Sequence, residues 1–223
     1  MPAALTIEVG AAASLSRSFA RAKHRATPFP NWRLENPLPE LLARDLAGLP
    51  FEAPRLVGPS GARELHNATR RYLSGRVLEI SPAARHLAET LQSTEIVRQI
   101  AGLTGARLDG CCLRIEYALD REGFWLAPHT DIGVKALTLF VQLGEPGQED
   151  LGTDLYDGPD AWAERIGFGW NSGFMFVPSN SSWHGFEPRS IPGVRRSLIV
   201  NYVTPEWRER RQLAFPDRPV RTV

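Results

Sequence analysis

Apolar and polar positions change period near residue 110 of this 223-residue chain. Before that point apolar residues recur at helical spacing, and after it they alternate in short runs. Leu87, Leu91, Ile96 and Ile100 form an apolar stripe behind Ser81-Pro82, an N-cap with proline at the first helical position. One helix is therefore predicted from residue 81 until Gly102 and Gly105 close it. Asn36-Pro37 opens a helix over 38–46 that Gly48 and Pro50 stop. Another is expected from about 63 to 73, ended by Ser74-Gly75. Beyond Gly110, residues 111–119, 134–143, 172–177 and 195–203 are rich in β-formers and bounded by Gly and Pro. Shorter strand candidates lie at 124–126, 154–156, 165–168 and 183–186. So many short strands after a helical half predict an α+β fold: a sandwich or jelly roll with N-terminal helices covering one outer face.

The division into domains follows from this pattern. Residues 1–27 read as a loosely docked N-terminal extension with a basic flavour from Arg17, Arg21, Lys23 and Arg25. Residues 28–223 form a single domain, with a helical layer at 28–108, a β core at 109–207 and a C-terminal tail at 208–223. Composition adds little: 43% hydrophobic and 23% charged residues are ordinary for a globular domain. A net charge of +1 provides no global field toward nucleic acid or an anionic membrane, so neither is an expected partner. No apolar run reaches membrane-spanning length, and the start lacks the form of a secretory signal. The two cysteines, Cys111 and Cys112, are adjacent and point to opposite faces of a strand, so they read as small buried side chains. A cytoplasmic location is expected.

The residues with chemical potential are few. His129 and Asp131, two apart, share a face of a strand, and His184 must come from a different strand. Two imidazoles and one carboxylate are the ligand set of a mononuclear non-haem iron site, with three coordination positions left open. A catalytic zinc takes the same ligands. Arg195 begins the last strand, sharing a face with Ser197, Ile199 and Asn201, while Arg196, Leu198, Val200 and Tyr202 share the other. An arginine in a cavity calls for an anion, and a dicarboxylic keto acid meets that need: one end chelates the metal and the far carboxylate meets Arg195 and Ser197. Arg196 is the alternative if the register slips by one.

His129-Thr130-Asp131, His184 and Arg195-Arg196-Ser197 resemble the signature of the Fe(II)/2-oxoglutarate-dependent dioxygenases. Pro128-His129-Thr130-Asp131-Ile132 followed by Ala136-Leu137-Thr138-Leu139 is similar to the small bacterial, prolyl-4-hydroxylase-like members. Gly152-Thr153-Asp154-Leu155-Tyr156 and the entry Pro28-Phe29-Pro30 with Leu38-Pro39-Glu40 share the likeness. It covers residues 28 to 207. The resemblance implies a double-stranded β-helix, a cupin-like jelly roll, with iron held by His129, Asp131 and His184. It also implies 2-oxoglutarate as cosubstrate and O2 as oxidant. Tyr117 is a further candidate for contact with the keto acid, balanced against a role in the core.

Several residues are candidates for holding the substrate. Arg114 and Glu116 share a strand face, where they hold a zwitterion or pair with each other. Arg63, Asn67 and Arg70 fall on one face of the expected helix, and Asn201 shares the face of Arg195. The expected activity is hydroxylation of an aliphatic carbon of a small polar metabolite, such as a free amino acid, with release of succinate and CO2. The alternatives are hydroxylation of a protein side chain and a non-catalytic metal-binding jelly roll. Oligomeric state is not legible in the sequence.

Overall fold

The computed structural model describes residues 2–53, 61 and 70–223. Its helices are α1 (Pro2–Ala20), α2 (Glu40–Ala47), α3 (Arg76–Ile80), α4 (Pro82–Gln92) and α5 (Thr94–Thr104). Early strands β1 (Lys23–Arg25), β2 (Asn31–Glu35) and β3 (Arg71–Tyr72) lie among them. The barrel strands follow: β4 (Cys112–Asp120), β5 (Leu126–His129), β6 (Lys135–Leu143), β7 (Asp154–Tyr156), β8 (Trp162–Arg165), β9 (Trp170–Phe176), β10 (His184–Phe186) and β11 (Arg195–Val203).

Two antiparallel sheets result. One runs β1-β2-β9-β6-β11-β4-β3 and the other β5-β10-β7-β8. From β4 to β11 the chain passes back and forth between them, which is the winding of a double-stranded β-helix. Phe29, Phe140, Leu155, Phe174, Phe176 and Ile199 pack between the sheets. The opposite face of the large sheet carries Leu113, Ile115, Leu139, Leu198, Val200 and Tyr202, packed with Leu87, Leu91, Ile96 and Ile100 of the helical layer. The alternation read along β11 is thus the alternation that forms: Leu198, Val200 and Tyr202 face the helices, and Ser197 and Ile199 face the barrel. The Tyr202 hydroxyl donates to Leu91 O at 2.7 Å, so even this fully buried phenol is satisfied.

Three expectations need correction. The helix predicted from residue 81 onward is two helices. Ser93 leaves helical geometry and caps α5, its hydroxyl accepting from Ile96 N at 3.4 Å. Within 1–27, the stretch 11–19 is docked and not loose, because Ala11, Leu15 and Phe19 recur every four residues and are buried in the core. The helix expected over 63–73 falls largely outside the described residues; where they resume, Arg71–Tyr72 pairs with β4 as a strand, and Gly75 leads into α3 rather than ending a helix.

One close approach fixes a glycine. A Cβ on Gly152, just before β7, would lie 1.3 Å from the carbonyl oxygen of Ile166, so only Gly lets the two backbones meet there. Among the described residues no helix is long and apolar enough to cross a membrane.

Candidate metal centre and its cavity

β5 ends at His129, and Asp131 follows in the loop to β6 rather than on the strand itself. β10 opens with His184, which lies opposite His129 in the antiparallel register. The two imidazole centroids are 4.4 Å apart. One ligand atom from each of His129, Asp131 and His184 falls within 4.8 Å of the others.

Backbone carbonyls orient both rings. His129 Nδ1 lies 3.0 Å from Ala127 O, and His184 Nδ1 lies 2.9 Å from Ser182 O. A carbonyl only accepts, so in these contacts each Nδ1 carries the proton and Nε2 keeps the lone pair needed by a metal. Burial pushes the His184 pKa down to about 4, against the pull of Asp131, so the ring is neutral at physiological pH.

Burial alone would raise the Asp131 pKa. Lys135 outweighs it by charge, as does His184 in the acid range where that ring is protonated, helped by hydrogen bonds from Lys135 and Thr138, and together they hold the carboxyl well below its ordinary range. Lys135 Nζ is 2.5 Å from Oδ1 and Thr138 Oγ1 is 2.6 Å from Oδ2. A neutral His184 ring, a second imidazole and an ionised carboxylate suit a divalent non-haem metal, iron or zinc.

A cavity of about 300 Å³ opens onto these three residues, and Phe140 and Ile199 also line it. On its other side is a buried polar cluster. The Arg114 guanidinium, 2% exposed, donates to Asn201 Oδ1 (2.7 Å), Gln212 Oε1 (2.9 Å), Glu116 Oε2 (2.9 Å) and the Tyr72 hydroxyl (3.2 Å). It lies over the rings of Tyr72 and Trp207 at 4.8 and 5.1 Å. Arg70 approaches Glu116 at 3.6 Å. Asn201 Nδ2 donates to Thr138 Oγ1 at 2.9 Å, and Thr138 in turn donates to Asp131. A continuous chain of hydrogen bonds thus runs from Gln212 through Arg114, Asn201 and Thr138 to the Asp131 carboxylate.

Of the substrate candidates, Arg70, Arg114 and Glu116 line the cavity and Asn201 touches it through its partners. Arg63 and Asn67 lie outside the described residues. The pairing of Arg114 with Glu116 is the interaction that forms. Lys135, Thr138, Tyr72, Trp207 and Gln212 were not anticipated. For Lys135 a signal existed, since it follows Asp131 at the start of the next strand. Tyr72, Trp207 and Gln212 come from distant segments, and nothing local marks them.

The residues expected to hold a keto acid are placed differently. Tyr117 faces the helices: its hydroxyl donates to Leu46 O at 2.8 Å and its ring meets Phe51. Period-two alternation requires this once Glu116 faces the cavity, so the expected contact with a keto acid is corrected to a role in the core. Tyr117→Phe is expected to cost about 1 kcal/mol in urea unfolding, the value of one buried hydrogen bond, without altering any metal-dependent turnover. Arg195 does face the barrel interior and is 5% exposed. Its Nε donates to Leu151 O at 2.6 Å, Nη1 reaches Asp120 Oδ2 at 2.5 Å, and the group lies between Phe168 and Phe186 at 4.8 and 4.7 Å. The described lining of the cavity does not include Arg195 or Ser197. Arg196 is outside the barrel, paired with Glu145 at 2.6 Å.

A scan against protein-family models finds no match, and a search of curated proteins finds none. Solved structures do match. A prolyl hydroxylase from Trichoplax adhaerens, in complex with a peptide fragment of the hypoxia inducible factor oxygen degradation domain, is 14% identical, with a TM-score of 0.53 over 91% of each chain. A Pseudomonas putida prolyl-4-hydroxylase is 16% identical, with a TM-score of 0.53 over 86% of this chain and 94% of its own. The non-haem alpha-ketoglutarate-dependent epimerase SnoN from nogalamycin biosynthesis is also 16% identical, with a TM-score of 0.51 over 87% of this chain and 84% of its own. The fold of this chain is therefore the jelly roll shared by prolyl hydroxylases and by non-haem enzymes that depend on alpha-ketoglutarate, also called 2-oxoglutarate.

Proposed function

We propose that the chain is an Fe(II)- and 2-oxoglutarate-dependent dioxygenase that hydroxylates an aliphatic carbon of a small polar metabolite, releasing succinate and CO2. The observation that carries this reading is the convergence of His129, Asp131 and His184 within 4.8 Å at a cavity of a prolyl-hydroxylase-like jelly roll. These three residues would hold the iron. Arg195 and Ser197, inside the same barrel, would serve the far carboxylate of the cosubstrate. When bound, iron and 2-oxoglutarate supply oxygen activation and the cleavage of the substrate C–H bond.

The chain's own residues supply position and dryness. The Ala127 and Ser182 carbonyls fix the imidazole rings, and Thr138 and Lys135 fix the carboxylate. Phe176 and Phe140 present their rings to His184 at centroid distances of 5.1 and 6.5 Å, and keep water from that side. The Arg114 cluster gives the cavity wall a polar, hydrogen-bonding character suited to a polar metabolite such as a free amino acid. A cavity of about 300 Å³ lies at the small end of the range for small-molecule sites.

The test is succinate release from 2-oxoglutarate by the iron-loaded protein, across a panel of free amino acids, related metabolites and proline-containing peptides. Stimulation by a free metabolite is the expected result. Stimulation by peptides alone would move the substrate to a protein side chain. Turnover that needs zinc and is indifferent to oxygen would overturn the proposal.

A further inference from the structure

The small sheet carries a second concavity. Leu155 of β7 packs between the sheets, so its neighbour Tyr156 belongs to the outer face. A groove of about 260 Å³ lies there. Its described lining holds three aromatic side chains (Trp125, Tyr156 and Trp162), three prolines, two carboxylates (Asp160 and Glu187) and no basic side chain. Leu126 and Ala127 of β5 line both this groove and the metal cavity, so the two share that strand as a wall.

Three features of the lining point to one kind of ligand. Trp162 is 51% exposed, yet its indole N–H donates to the buried Asp154 carboxylate at 3.2 Å, which fixes the ring as an open platform. It lies opposite Tyr156 in the β7–β8 register. Negative charge is in excess: Glu187 meets Arg165 at 3.5 Å, and Asp160 has no ion pair among the described residues. Tyr156 is 3% exposed and its hydroxyl has no hydrogen-bond partner. Burial and the charges of Asp154 and Glu187 push that phenol up to about 12, so it is neutral and its oxygen keeps its lone pairs. Aromatic faces and carboxylates attract any organic cation. The orphaned hydroxyl adds an acceptor, and only a cation bearing N–H protons uses it.

We propose that this groove is a second ligand site, for a small free alkylammonium ion. Its charge meets Glu187 and Asp160, its carbon chain lies against Trp125 and Trp162, and an ammonium N–H is accepted by the Tyr156 hydroxyl. The site is separate from the metal cavity and does not depend on the oxygenase reading. A volume of about 260 Å³ admits an ion of a few carbons. Because Trp162 is held by Asp154, its ring is in place before the ligand arrives.

Calorimetric titration of the full chain in the presence of Mn(II) tests this without turnover. The probes are n-butylammonium, tetramethylammonium, which has the charge but no N–H, and butan-1-ol, which has no charge. Butylammonium should saturate and bind more tightly than butanol. Tyr156→Phe removes a hydroxyl that bonds to nothing in the protein, so it does not threaten the fold. It is expected to weaken butylammonium about tenfold, the value of one hydrogen bond to a charged group, and to leave tetramethylammonium unchanged. Glu187→Gln should weaken both cations. Four results would each overturn the inference: no saturation, butanol bound as tightly as butylammonium, a butylammonium affinity that either substitution leaves unchanged, or an equal loss of both cations in Tyr156→Phe. The oxygenase reading stands or falls separately, by succinate release.

Discussion

Asp131→Ala is expected to abolish iron retention and lower 2-oxoglutarate-coupled turnover by about a thousandfold or more, since a metal's share of transition-state stabilisation is several kcal/mol and each 1.36 kcal/mol is a decade. The size follows from charge as much as from ligand count. Asp131 is the only anionic member of the triad, and its oxygens are held by Lys135 and Thr138. Removing it leaves two imidazoles and no anion beside the Lys135 ammonium, an arrangement that repels a divalent cation. Asp131→Asn, which preserves shape and removes only the charge, should lose nearly as much. Metal content after gel filtration and succinate release are the two readouts. Full turnover by either variant would remove the triad from the mechanism.

The second large effect concerns stability. Asp154 on β7 is fully buried, and it accepts hydrogen bonds from Arg165 Nε (2.7 Å), Arg189 Nη1 (2.7 Å), Trp162 Nε1 (3.2 Å) and the Glu187 backbone N–H (2.8 Å). Asp154→Ala takes the buried carboxylate from two guanidinium groups, leaving Arg165 with Glu187 at 3.5 Å and Arg189 with the Gly152 carbonyl at 2.7 Å. Breaking a buried ion pair from one side costs about 3–5 kcal/mol, and the partial exposure of Arg165 and Arg189 places this case near the lower end.

The same site makes a prediction about pH. Burial alone would raise the Asp154 pKa, but the Glu187 N–H, Arg189, Arg165 and Trp162 outweigh it and hold it below the ordinary value. A carboxyl depressed in the folded state stabilises the fold above its unfolded pKa of about 3.9, and that contribution is lost as pH falls through the lower folded value. Urea unfolding of wild type and Asp154→Asn should therefore differ most at neutral pH and converge in acid. A gap that stays constant down to the acid limit would mean that Asp154 acts by packing and not by charge.

Much of the barrel was legible because its signal is local. Alternation along 195–203 placed Arg195 and Ser197 inward and Arg196 outward, and the strand forms over those residues. His129 and His184 meet because neighbouring antiparallel strands of the small sheet pair them, and the loop after β5 brings Asp131 beside them, a pairing that the wide spacing demanded but did not locate. Tyr117 was misplaced although the same alternation, applied from Glu116, turns it toward the helices. The break at Ser93 was hidden because the apolar stripe continues through it: α4 and α5 both bury residues in one core cluster, so hydrophobic spacing alone does not show where the backbone bends. The buried N-terminal helix was underestimated for a related reason. Its apolar residues are mostly small, and only their spacing of four, at Ala11, Leu15 and Phe19, marks the packed face.

The last twenty residues are stitched to the far edge of the barrel. Ala214 N donates to Leu113 O, Val220 N to Cys111 O and Thr222 N to Asp109, while Gln212 and Trp207 hold the Arg114 guanidinium from beside the cavity. An affinity tag or truncation at that terminus is consequently not a neutral handle. It pulls on the cavity wall that the Arg114 guanidinium forms.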